Sequence, residues 1–218
     1  MEHYTFTLTG TTPLIMHRDD VEAADMVTAA RKDKASKDQP RGDDRFPAWS
    51  WQTYLYDDGE LVCLPSDNIR AALCKAGASI PIPKGRNGKT FKAATQSGII
   101  LTRESNAFFT GGEEVAIADC RALWDEDFTD QANAVRDLGF RLLLKRAAVG
   151  QSKHVRVRPI FDEWSCEGEV VVTAPEITKS ILQELFDVAG IGGIGDWRPS
   201  SSKKPGHHGQ FSAKVKKA

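Results

Sequence analysis

Between Gly190 and Gly195 four of six residues are glycine, and the segment runs on through Asp196, Trp197, Arg198 and Pro199 to Lys203, Lys204, His207, His208 and Gly209. This stretch constrains the fold most, because ordering so many glycines costs backbone entropy that only an unusual turn or a close approach offsets. Before it, Thr173 to Ala189 carries Ile177, Ile181, Leu182, Leu185 and Phe186 at helical spacing. Thr173 with Glu176 as a capping box, or Pro175 in the first turn, would start that helix. After it, Gln210 to Val215 reads as a last strand. Backbone amides at Gly192, Gly193 and Gly195, a stacking surface at Trp197 and the charges of Arg198, Lys203 and Lys204 suit a sugar-phosphate backbone, with His207 and His208 beside them. The competing reading is a connection whose tryptophan is tucked into the core.

The remaining elements follow from periodicity. Tyr4 to Thr9 alternates with period two and reads as the first strand. Val21 to Arg31 reads as a helix, and Lys32 to Arg45 as mobile, charged chain. Asp58-Gly59 marks a turn between two short strands. Ser66 is the expected N-cap of a helix through Lys75, with Gly77 as its stop. Residues 78–96 read as an irregular basic finger carrying Lys84, Arg86, Lys89 and Lys92. Gly98 to Leu101 and Val115 to Ala118 are weaker strands. Asn133 to Ala148 reads as a helix with Val135, Leu138, Leu142 and Leu143 inward and Lys145 and Arg146 at its C-terminal end. Lys153 to Arg158 and Gly168 to Val172 read as a hairpin. Val155 and Val157 would face the core, and His154, Arg156 and Arg158 the other way, next to Lys153.

Strand, helix, two strands, helix, strand is an α+β arrangement with a ferredoxin-like, RRM-like core, long insertions and a C-terminal glycine-rich loop. The expectation is one domain over 1–218, with an insertion at 14–64, the finger at 78–96 and the loop at 190–209. The net charge is only -1, but Gly139 to Ile160 holds six Lys/Arg and no acid, and six more follow Asp196. Local basic tracts in a near-neutral chain fit nucleic-acid contact better than general stickiness. Four scattered cysteines without a CxxC pair point to neither a zinc knuckle nor a redox dithiol, and suit a reducing, cytoplasmic setting. No apolar run reaches membrane-spanning length.

On Gly190 to Gly209, Thr9-Gly10-Thr11-Thr12-Pro13-Leu14 and Pro65 to Arg70, the chain resembles the RAMP superfamily, most nearly its CRISPR effector-backbone proteins. The resemblance implies RNA binding; no cofactor is expected, and His154, His207 and His208 lack the cysteine or carboxylate pattern at ligand spacing that a metal site would need. Its partners would be RNA (guide RNA, or alternatively single-stranded DNA) and further copies or subunits of a ribonucleoprotein in a defence role. It also implies an alternative, a metal-independent endoribonuclease using His17, Asp19, Asp20, Asp25 or His154, with histidine moving protons near neutral pH. A protein-only scaffold is the third reading. Gly85 to Thr90 lacks the spacing of a phosphate-binding loop.

Overall fold

The computed structural model describes residues 1–32, 42–83, 89–149 and 152–218. In chain order the elements are β1 (Glu2–Gly10), β2 (Leu14–Ile15), α1 (Val21–Lys32), a 3-10 helix (Ala48–Tyr54), β3 (Cys63–Pro65), α2 (Ser66–Ser79), α3 (Lys92–Gly98), β4 (Ile99–Leu101) and β5 (Ser105–Thr110). They continue with α4 (Ile117–Arg121), α5 (Phe128–Ala134), β6 (Arg141–Val149), β7 (Ser152–Phe161), β8 (Trp164–Val172), α6 (Lys179–Gly192) and β9 (Phe211–Lys217). The chain is a mixed α+β fold with two antiparallel sheets among the described residues. It forms two compact units: Met1–Leu14, Cys63–Glu114 and Asp162–Ala218 make the first, Ile15–Val62 and Val115–Phe161 the second.

In the first unit the strands run β3-β5-β8-β1-β9, with β4 also pairing β8. Period-two alternation decides which face of β1 is inside: Tyr4, Phe6 and Leu8 are buried, while Thr5 and Thr9 are exposed. Phe6 meets Phe186 of α6 with ring centroids 5.1 Å apart. Ile69 and Leu73 of α2 join Leu182 and Leu185 of α6 over the same face. The helices owe their positions to these apolar stripes.

Several expectations are corrected here. Asn133 to Ala148 is not one helix: α5 ends at Ala134, turns continue to Gly139, and Arg141 begins a strand. Gly139 sits at φ 84 and the Phe140 amide reaches back to the Val135 carbonyl at 3.2 Å, a helix-terminating arrangement that side-chained residues resist. Lys153 to Arg158 and Gly168 to Val172 are not a hairpin; β7 pairs β6 and β8 pairs β1, in separate sheets. The cap of α2 is Pro65, because the Ser66 hydroxyl donates to the Arg103 carbonyl and accepts from the Asn106 amide. Gly77 does not stop α2; a Cβ there would lie 2.4 Å from Thr95 Oγ1, so it marks close packing of α2 on α3. α6 starts at Lys179 under a Thr178 cap, since Ala174 to Ile177 closes a separate turn that buries Ile177. The Asp58-Gly59 turn is flanked by an isolated Asp57–Val62 bridge, and Val115 to Ala118 by the Leu61–Ala116 bridge and α4, in place of strands. Lys92 lies on α3 instead of in an irregular finger.

Candidate nucleic-acid interface

The residues singled out in the sequence divide between the two units. In the second unit β6 and β7 form a hairpin whose register sets Lys145 opposite Arg156, and Leu143 opposite Arg158. Residues Gly42 to Asp44 lie along β7: the Val155 amide donates to the Gly42 carbonyl, and the Asp44 amide to the Val155 carbonyl, at 2.9 and 3.0 Å. Gly42, at φ 74, is packed against the His154 ring, which a Cβ would strike at 2.4 Å.

This strap delivers Asp44, whose carboxylate is fully buried, to three guanidinium groups. Arg31 and Arg156 reach Oδ1 at 3.2 and 3.0 Å, and Arg158 reaches Oδ2 at 3.2 Å. Arg158 also stacks its guanidinium 3.8 Å over the Tyr54 ring and brings Nη2 within 3.4 Å of His17 Nε2. Its side chain is only 8% exposed, against 27% for Arg156 and 36% for Arg31. The expectation that Arg158 faces outward beside Arg156 is therefore corrected. A buried carboxylate captures it, and such an arginine is structural first. The next acid is taken too: Arg45 Nη2 contacts Asp43 at 2.6 Å and holds that carboxyl below its ordinary range. Arg156 thus keeps an exposed edge, whereas Arg31 also donates Nε to the Phe46 carbonyl at 2.9 Å and Nη2 to the Asp43 carbonyl at 3.4 Å. Lys145, Arg146 and Lys153 are exposed on the same hairpin as Arg156. Of the alternative catalytic set, His17 and Asp19 are exposed and Asp20 pairs with Arg18 at 3.2 Å.

In the first unit, the loop after α6 folds on itself. The Gly193 amide donates to the Ala189 carbonyl at 2.8 Å, Ile194 to Gly209 at 2.9 Å, Ser200 to Gly192 at 2.9 Å and Gly209 to Pro13 at 2.8 Å. At Gly209, with φ 70, a Cβ would lie 1.9 Å from the Ile194 carbonyl oxygen. Here glycine answers a chain-on-chain contact. Gly193 and Gly195 are buried, and Gly192 ends α6. Trp197 is half-buried at φ 49, its ring 6.4 Å from that of His208, which lies tilted against the His207 ring at 4.4 Å. Lys203, Lys204 and His207 are exposed. Arg198 donates to the Gly195 carbonyl.

Lys75 on α2 escaped the sequence reading. Its Nζ donates to the Ser200 carbonyl at 3.2 Å, and partial burial together with repulsion from Arg198 holds its pKa below the ordinary lysine value. Its helical neighbours give no hint of this, since only tertiary folding brings Ser200 to it. Lys89 and Lys92 are exposed, whereas Lys84 and Arg86 lie outside the described residues, as does the segment 33–41.

No family model matches the chain, and no curated protein matches it in sequence. Among the described residues there is no group of three or more His, Cys, Asp and Glu side chains arranged to hold a metal ion. No described helix is long and apolar enough to cross a membrane.

Proposed function

We propose that this protein binds the sugar-phosphate backbone of single-stranded RNA, without base specificity, as a subunit of a ribonucleoprotein. The observation that carries the reading is the convergence of Arg31, Arg156 and Arg158 on the single Asp44 carboxylate. One carboxylate neutralises one guanidinium, so the partly exposed Arg31 and Arg156 retain a cationic excess, extended by Lys145 across the hairpin. A planar arginine with an exposed edge, as at Arg156, pairs with phosphate oxygens in a two-pronged fashion. The first unit, taken by itself, carries a separate cationic group, Lys75, Arg198, Lys203 and Lys204, beside the half-buried Trp197. The strand order β5-β8-β1-β9 with α2 and α6 on one face supports a ferredoxin-like core; membership of the RAMP superfamily and a CRISPR-type defence role are proposed on the sequence resemblance alone.

The test is fluorescence anisotropy of labelled oligo-uridine across a salt series. Binding at low salt is expected, and replacing both Lys145 and Arg156 with alanine should lower the log–log salt slope by roughly 0.7 per lost contact. An unchanged slope in a folded variant refutes the assignment; a single-stranded DNA of equal length shows whether the ribose matters. A second reading, endoribonuclease, draws on the exposed His17, a group able to move protons near neutral pH, whose Nε2 is oriented by Arg158 Nη2 at 3.4 Å. Cleavage of RNA in chelator, lost in His17→Ala, would establish it.

A further inference from the structure

The face of the first unit's sheet turned away from Tyr4, Phe6 and Leu8 carries its charges in columns. β1 presents Thr5 and Thr7, its neighbour β8 presents Glu167 and Glu169, and its other neighbour β9 presents Lys214 and Lys216. Register places Glu169, Thr5 and Lys216 in one row and Glu167, Thr7 and Lys214 in the next. An acidic and a basic column therefore flank a column of threonines, each about 4.8 Å from it. These four charged side chains and Thr5 are exposed, and together with Arg103 they line a shallow depression of about 400 Å³. The following row, Ser165, Thr9 and Ser212, is uncharged.

Exposed glutamates accompany exposed lysines here, whereas the one acid of the arginine cluster is buried, so this face matches a partner of mixed charge better than a phosphate backbone. The layout is complementary to itself. A half-turn about an axis parallel to β1 brings the acidic column of one copy over the basic column of the other and preserves the row order. Glu169 then meets the second copy's Lys216 position and Glu167 its Lys214 position, and symmetry repeats both pairs. A half-turn about an axis across the strands would stack like charges instead. The short threonines on the axis let the two faces approach. Among the described residues, Lys214, Lys216 and Glu167 have no ion-pair partner, while Glu169 shares only the well-exposed Arg103 at 3.3 Å, a contact weak enough to exchange.

We propose that this sheet face joins two copies of the chain in a two-fold, salt-sensitive dimer. The patch is about three strands wide and three rows deep, small beside permanent interfaces, so the association is reversible. Charge complementarity sets its register more than its strength.

Sedimentation equilibrium of the nuclease-treated full chain tests the proposal independently of RNA binding. A monomer–dimer equilibrium is expected that tightens at about 50 mM salt and weakens at about 500 mM. The double variants Lys214→Glu/Lys216→Glu and Glu167→Lys/Glu169→Lys should each weaken self-association by at least about tenfold. Mixed in equal amounts, the two variants should recover a heterodimer, which a folding defect in either would prevent. A monomer at every concentration and salt, a dimer indifferent to both variants, or a mixture that fails to recover overturns the proposal. Lost RNA affinity in Lys214→Glu/Lys216→Glu with no change in mass would give the face to nucleic acid and overturn it as well.

Discussion

Replacing Asp44 with alanine removes the one carboxylate beneath three arginines, and its cost follows from their burial. Arg156 turns to water when released and Arg31 keeps the Phe46 and Asp43 carbonyls as partners, since a quarter or more of each side chain is already exposed. Arg158 has no such escape: it is 8% exposed, pinned over Tyr54, and its Nε lacks a partner among the described residues. Stripping one member of a buried pair from the other costs about 3–5 kcal/mol, because the remaining charge stays desolvated. For a chain of this size each kcal/mol lowers Tm by roughly 2–4 °C, so the midpoint should fall by about 6–20 °C. Urea unfolding followed by tryptophan fluorescence and by circular dichroism measures the loss. Asp44→Ala/Arg158→Met should recover much of it, since methionine can pack on Tyr54 without a charge to bury. A loss under about 1 kcal/mol in Asp44→Ala, or no recovery in the double variant, would refute the view that Arg158 is held structurally.

Three further outcomes are expected. Trp197→Ala should weaken single-strand affinity by about 1–3 kcal/mol if the half-buried ring stacks on a base; a large fall in Tm with affinity intact would assign the ring to the core. Stability should decline in acid through Asp43, whose carboxyl is held below its ordinary value chiefly by the Arg45 hydrogen bond. Because the folded pKa is depressed, this contribution is complete above the unfolded value of about 3.9 and is lost as pH falls through the folded one. Asp43→Asn should flatten that acid limb in urea midpoints measured against pH. Thiol titration of the native protein should show Cys74 reacting first: Cys63, Cys120 and Cys166 are buried, and burial pushes Cys120 up to about 12 and Cys166 further. Fast reaction of more than one thiol would contradict the packing around β3, β8 and α4.

Local pattern was sufficient where one face of an element is simply in and the other out. The alternation of Tyr4 to Thr9, the stripe Ile69, Ala72, Leu73 and Ala76, and the apolar face of α6 were all legible, because burial there repeats with the period of the backbone itself. Leu142 to Leu144 was not, since a short apolar run has no period of its own. The left-handed Gly139 and pairing with β7 decided for strand. Nor does sequence name a strand's partner: β7 and β8 are neighbours along the chain, yet their hydrogen bonds go to β6 and β1. The candidate site divides in the same way. Composition alone located the basic tracts, as charge is a property of residues. Which arginine remains available is a property of what folds against it, and residues 42–44 take Arg158 into the interior while leaving an edge of Arg156 in solvent. The glycines of the last loop were conspicuous from the start. Only the tertiary structure shows that at Gly190, Gly206 and Gly209 the atoms they make room for are the protein's own carbonyls, because close approach of two backbones depends on distances that sequence does not encode.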